Sequence, residues 1–434
     1  MNIHTHHRLQ SLERVGSWWP QQLLLGWLNL VLTAPVIYLF VGLPLILRQH
    51  GWSGTEIGML QLAGLPAMLK FVLATPVDRW RLGQASYRNW TLVLGMAYVL
   101  ALLWLGMYSL RDTPSGLLFL LTVTVCLLGT WVDVPINALA IQILPESERL
   151  RAGAIRALAT SLAAIGGGGI MLILHARLGW AWPFVTLAIG VLSGLVLVPW
   201  LRPHRQPDDI TLSPAPLVEQ SKASLRDWIG YFRGAPHRIW AMLLVLYFPC
   251  IGAAWVYLKP LMLDMGFEQE SIAWIAGVLG GLVAAISSLV AGHIARLIGA
   301  TAALPLFAAV NLLVLLSLTV VVVSSVGQYA LIAVAMALAL AMGASAGLMF
   351  GLMMHHTRPG LAALDYGIQS SLFVASRTTA PLLAGVLLDR FGYVGMLEGL
   401  SLTLILVCLF AWYSRHRIYT TASIQGPASG RASG

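Results

Sequence analysis

Twelve stretches of this chain are each long and apolar enough to cross a bilayer, which takes about 20 such residues in a helix. They run over 22–47, 56–76, 89–110, 116–143, 150–176, 180–201, 238–264, 270–295, 300–323, 328–355, 362–388 and 392–414. Hydrocarbon offers no partner to a backbone N–H or C=O, so each run must satisfy its own peptide groups as a helix. Composition excludes a water-solvated globule: 58% of the 434 residues are hydrophobic and only 10% are charged, against about 25% charged in a soluble domain. The expected fold class is an all-α polytopic membrane protein with 12 transmembrane helices in two six-helix pseudo-symmetric halves.

The first 20 residues are polar and end at Trp18-Trp19-Pro20, so a cleavable signal is not expected. Cys126, Cys250 and Cys408 lie in separate apolar runs, which implies neither a disulfide framework nor a zinc knuckle. The net charge of +9 is spread over short loops rather than gathered on one face, so it reads as bilayer orientation, with no nucleic-acid partner. Nineteen Lys/Arg, Arg156 among them, fall in segments that are internal if both termini are cytoplasmic, and four fall in the outer loops. That asymmetry sets the orientation. The units expected are a cytoplasmic segment (1–21), a six-helix bundle (22–201), a cytoplasmic linker (202–237), a second bundle (238–414) and a cytoplasmic tail (415–434). Within the linker, SLRDWIGYFRG (224–234) reads as an amphipathic stretch on the membrane surface.

The two halves read as copies. At an offset of 215 residues Gly51 meets Gly266, Asp78 meets His293 and Arg81 meets Arg296; at 214, Gly153 meets Gly367. Parallel repeats of six spans are the plan of the major facilitator superfamily, in which the halves rock about a site near the bilayer midplane.

GLPAMLKFVLATPVDRW (64–80), WVDVPINALAIQILPESERLRAG (131–153) and DYGIQSSLFV (365–374) resemble one branch of that superfamily. It holds siderophore permeases of the RhtX/FptX type and muropeptide permeases of the AmpG type. The length is similar to that of the siderophore permeases. The resemblance implies proton-coupled import of a siderophore or its ferric complex across a bacterial inner membrane, by a monomer without a cofactor. The alternatives are a muropeptide or other organic-anion permease, or a siderophore exporter. It also implies that spans 1, 4, 7 and 10 line the cavity, while 2 with 11 and 5 with 8 form the seam between halves.

Charges inside apolar spans are the candidate site, because they are costly in hydrocarbon and usually face a partner or a ligand path. Lys70, Arg377 and Asp133 are the substrate-binding candidates, and Asp133 is the proton-coupling candidate as the one carboxylate well inside a cavity-lining span. An ion pair joining Asp133 to Lys70 or Arg377 is the competing structural reading. Tyr38, Trp131, Trp255 and Tyr257 are aromatic candidates for a ring-bearing cargo. Asp78 and Arg79, ending the second span, are the gating candidates, closing it by salt bridges and helix-terminus contacts. Lys259 is expected to snorkel. Neither a P-loop nor a paired-acid or HExxH constellation is present, so neither an ATP-driven pump nor an enzyme is expected. His293, His355 and His356 do not complete a metal site.

Overall fold

A computed structural model describes residues 18–49, 62–108, 113–201, 225–324, 327–358, 360–415 and 417. The N-terminal segment, most of the linker, the C-terminal tail and the first part of span 2 lie outside the described residues. Ten described helices are long and apolar enough to cross a membrane. The 53-residue helix Ala362–Ser414 holds two spans, 11 and 12, because Gly392 takes φ 68°. Span 2 is described from Leu62 to Arg79, which brings the spans to the twelve expected.

Spans 1 (Trp19–Gly42), 3 (Ser86–Met107), 4 (Ser115–Ile143), 5 (Glu146–Leu178) and 6 (Ala181–Trp200) pack on one another. A second group is formed by spans 7 (Ala235–Asp264), 8 (Ala273–Ile298), 9 (Ala300–Val323) and 10 (Gln328–His355) with 11 and 12. Two seams join the groups: span 2 lies against span 11, and span 5 lies against spans 8 and 10.

Small residues make the seams close. A methyl group on Gly153 of span 5 would overlap the backbone of Gly351 on span 10, and one on Gly367 of span 11 would fall 2.9 Å from Cβ of Ala74 on span 2. Both glycines, matched in the sequence repeat, therefore stand where helix backbones from opposite groups touch, the packing that small residues permit in membranes.

Proline shapes the helices that carry charge. The described part of span 2 opens with a 3-10 helix, Leu62–Leu69, containing Pro66, whose missing N–H cannot complete an α-helical turn. At Leu69 the backbone leaves helical geometry (φ −106°, ψ 23°), and an α-helix starts at Lys70. The lysine thus sits at a break in its span. In span 1 the turns after Pro35 widen into a π-helix, Tyr38–Gly42.

Candidate functional site

A cavity of about 690 Å³ lies between the two groups of spans. Its walls are largely apolar, with Val36, Phe40, Leu65, Phe350 and Phe373 among them, and among the described residues its charged lining consists of Lys70, Asp133, Arg156 and Arg377. Three cations face one carboxylate.

Lys70 Nζ lies 2.7 Å from Asp133 Oδ2, with both side chains little exposed. Arg156 donates from Nη2 to both Asp133 oxygens, at 3.1 and 3.0 Å, so the carboxylate bridges spans 2, 4 and 5. Nη1 of Arg156 donates to Asn29 Oδ1 at 3.0 Å and to Asn137 Oδ1. Its guanidinium also lies over the rings of Phe350, 5.1 Å away, and Tyr366, 5.5 Å away, both in the second group. Three polar residues, through four acceptor oxygens, and two rings hold Arg156. Among the described residues Lys70 has one carboxylate partner, which leaves two of the three donors of an ammonium to spare. Arg377 is exposed to the cavity and makes no hydrogen bond or ion pair among the described residues.

The structure brings Lys70, Asp133 and Arg377 to one cavity and joins the first two as an ion pair. It adds Arg156, which the orientation count had assigned to an internal segment. The four aromatic candidates are placed elsewhere. Tyr38 is fully buried against Phe184, with ring centroids 5.5 Å apart. Trp131 packs on Trp90, and the Tyr257 hydroxyl donates to the Pro381 carbonyl at 2.9 Å. No described residue of span 7, Trp255 included, lines the cavity, whereas spans 2, 5 and 11 do. On span 1 Phe40 faces the cavity while Tyr38 lies in the core, and the Trp255 ring is packed on Gly280 of span 8. Phe40, Phe350 and Phe373 supply the aromatic surface instead.

At one end the cavity lining stops at Lys70, Asp133, Arg156, Phe350 and Ser370, and beyond this sealed end spans 2 and 11 are tied together. Asp78 Oδ2 accepts the Leu364 N–H at 2.8 Å, at the first turn of span 11, and its Oδ1 accepts the Tyr87 hydroxyl at 2.7 Å. The carboxylate caps a helix N-terminus whose first N–H groups have no partner of their own. The expected salt bridge is absent among the described residues: the contact of Asp78 is to a helix terminus, and Arg79 is exposed without an ionic partner. Across the other seam Glu148 at the start of span 5 accepts Arg296 of span 8 at 3.0 Å and Gln22 of span 1 at 2.7 Å. Arg358 forks onto Asp365 at 2.6–3.1 Å. Nothing in the sequence marked Glu148 as a junction, because its partners lie 126 and 148 positions away. Lys259 is exposed. His355 lies 3.7 Å from Glu146, and His356 stacks on Trp240 at 4.7 Å.

A family model of the Major Facilitator Superfamily matches residues 25–377. Among curated proteins, the anhydromuropeptide permease of Escherichia coli (strain K12) is 25% identical over 285 residues, 61% of this chain and 55% of that one. The chain thus spans about half the length of that permease. An uncharacterized protein of Haemophilus influenzae is 24% identical over 370 residues, 83% of this chain and 86% of its own length. Two solved structures share the fold. The human organic anion transporter MFSD10 superposes with TM-score 0.69 at 15% identity, over 90% of this chain and 98% of that one. The proton:xylose symporter XylE gives 0.70 at 11% identity, over 92% and 96%. With the family model covering most of its length, this multi-pass membrane protein belongs to the Major Facilitator Superfamily.

Proposed function

We propose that the chain is a secondary transporter importing an organic anion across a bacterial inner membrane by alternating access, coupled to protons. The observation that carries this reading is the charge balance of the cavity, where Lys70, Arg156 and Arg377 outnumber Asp133. Buried surplus charge is costly, and an anionic cargo offsets it. Lys70 and Arg377 are the contacts, because each has donors not committed to the protein. Phe40, Phe350 and Phe373 would pack against the apolar part of the cargo.

Proton coupling follows from the same cluster. A proton on Asp133 cancels the one negative charge between Lys70 and Arg156, frees the ammonium and strengthens the pull on an anion. Proton and anion therefore favour each other's binding, as reciprocal linkage requires. Asp78 acts as gate through its cap on span 11. The positive-inside asymmetry assigns the sealed end to the cytoplasm, so the arrangement corresponds to an outward-facing carrier.

Two cargoes fit this chemistry. The motifs on spans 2, 4 and 11 resemble a branch that holds both siderophore and muropeptide permeases, and the Escherichia coli relative favours a muropeptide. Growth on one ferric siderophore as sole iron source, with and without the gene, tests the first. Uptake of labelled anhydromuropeptide into vesicles tests the second, and failure of both removes these cargoes. For whichever cargo is taken up, Arg377→Gln is expected to raise KM by roughly tenfold or more, since a hydrogen bond to a charged group contributes ~1.5–3 kcal/mol. An unchanged KM would remove Arg377 from the contact.

A further inference from the structure

The linker between the two groups ends in a short helix, Leu225–Tyr231. Rather than lying freely on the membrane surface, it is wedged under the seam of spans 2 and 11 at the sealed end. Trp228 Nε1 donates to Thr75 Oγ1 of span 2 at 3.1 Å. Its ring meets Phe71 edge-on with centroids 4.8 Å apart. From the other group, Arg358 Nη2 donates to the Asp227 carbonyl at 3.1 Å, and its guanidinium lies 5.7 Å from the Tyr231 ring. Tyr231 is fully buried in a small apolar cluster with Leu361, Leu364 and Ile368, apart from the main core. The opposite face, Arg226 and Ile229, is exposed.

One short helix thus touches both sides of the seam, by different residues. Only Phe232, Arg233 and Gly234 separate it from span 7, so it is tethered to the second group, where Tyr231 and Arg358 also hold it. Its contacts to Thr75 and Phe71 are the ones that cannot survive separation of spans 2 and 11.

Resting on the transport reading above, we infer that this helix is a latch on the sealed end of the cavity. Trp228 is a positioning residue that sets how readily that end opens. It touches no cargo. It acts through span 2, adding a side-chain lock beside the Asp78 cap and one turn from Lys70.

The test reads opening directly. Ser371 of span 11 is buried behind the latch, where its hydroxyl accepts the Phe71 N–H at 3.3 Å. A Ser371→Cys reporter, in a full-length chain with Cys126, Cys250 and Cys408 replaced by serine, is labelled with an impermeant maleimide on inside-out vesicles. Trp228→Ala should label roughly tenfold faster than the reference or more, because it loses the ring contact to Phe71 as well as a hydrogen bond that alone represents about 2- to 10-fold. Trp228→Phe, which keeps the ring, and Thr75→Val, which removes the acceptor, should fall between. Should Trp228→Ala fail to reach the membrane, the two conservative variants decide. Equal labelling in all membrane-inserted variants overturns the latch. Because the readout needs no cargo, faster labelling with neither cargo transported would keep the latch and discard the cargo assignment. Robust uptake with unchanged labelling would do the reverse.

Discussion

Asp133→Asn should abolish accumulation driven by a proton gradient while exchange of bound cargo across the membrane survives. The wild-type carboxylate satisfies Lys70 at 2.7 Å and Arg156 at 3.0 Å. The amide cannot take up a proton at working pH and gives neither cation a counter-charge. Removing one partner of a buried pair costs about 3–5 kcal/mol, a hundredfold or more in any equilibrium that re-forms it. Cargo binding itself falls on Lys70 and Arg377 and persists. Full gradient-driven uptake by this variant would exclude Asp133 as the coupling group.

Loss of folding would mimic loss of coupling, and a second variant separates them. Lys70→Met with Asp133→Asn removes one charge of each sign and restores the wild-type net charge of the cluster. Membrane abundance of the double variant should recover relative to Asp133→Asn alone, whereas accumulation should not. If accumulation recovered as well, the pair would be structural only, the competing reading of these charges.

How far the sequence discloses this arrangement depends on the kind of signal. Lys70 and Asp133 stand out because an ionised group inside an apolar run has few tolerable explanations. Arg156 does not, for it follows Arg149 and Arg151 closely at the start of span 5. Five residues of helix carry it about 7.5 Å deeper, enough to reach Asp133. Nothing in a list of loop-flanking arginines marks which one faces inward. The aromatic candidates lie outside the cavity lining for a related reason: an apolar span offers no polar face to set its rotation, so Tyr38 and Phe40 look equivalent until packing turns one into the core. The partner of Asp78 across the seam is a backbone N–H at a helix start, a donor that every residue but proline carries and that no motif displays. The seams were legible more indirectly. The repeat pairs Gly153 with Gly367, and both stand at backbone contacts between the two groups.

Gly153→Ala should cut uptake about tenfold or more by disfavouring the sealed arrangement of the cavity. A methyl group there would overlap Gly351 N and lie 2.8 Å from the Gly347 carbonyl oxygen. Both obstacles are helix backbone, which cannot swing aside as a side chain can, so spans 5 and 10 must separate. Overpacking of this kind costs typically 1–3 kcal/mol, and ~1.4 kcal/mol is already a factor of ten in population. The shift should appear as faster labelling of a Ser371→Cys reporter from the sealed side, together with weaker cargo binding from the opposite side. Gly166 supplies the control, since a methyl group on it meets nothing within 4 Å. Gly166→Ala should leave uptake unchanged, although it lies in the same span and makes the same chemical change. Equal behaviour of the two variants would mean that the close approach of spans 5 and 10 plays no part in the transport cycle. A selective loss at Gly153 would place the contact between the two groups among the surfaces that must part and re-form at each turnover.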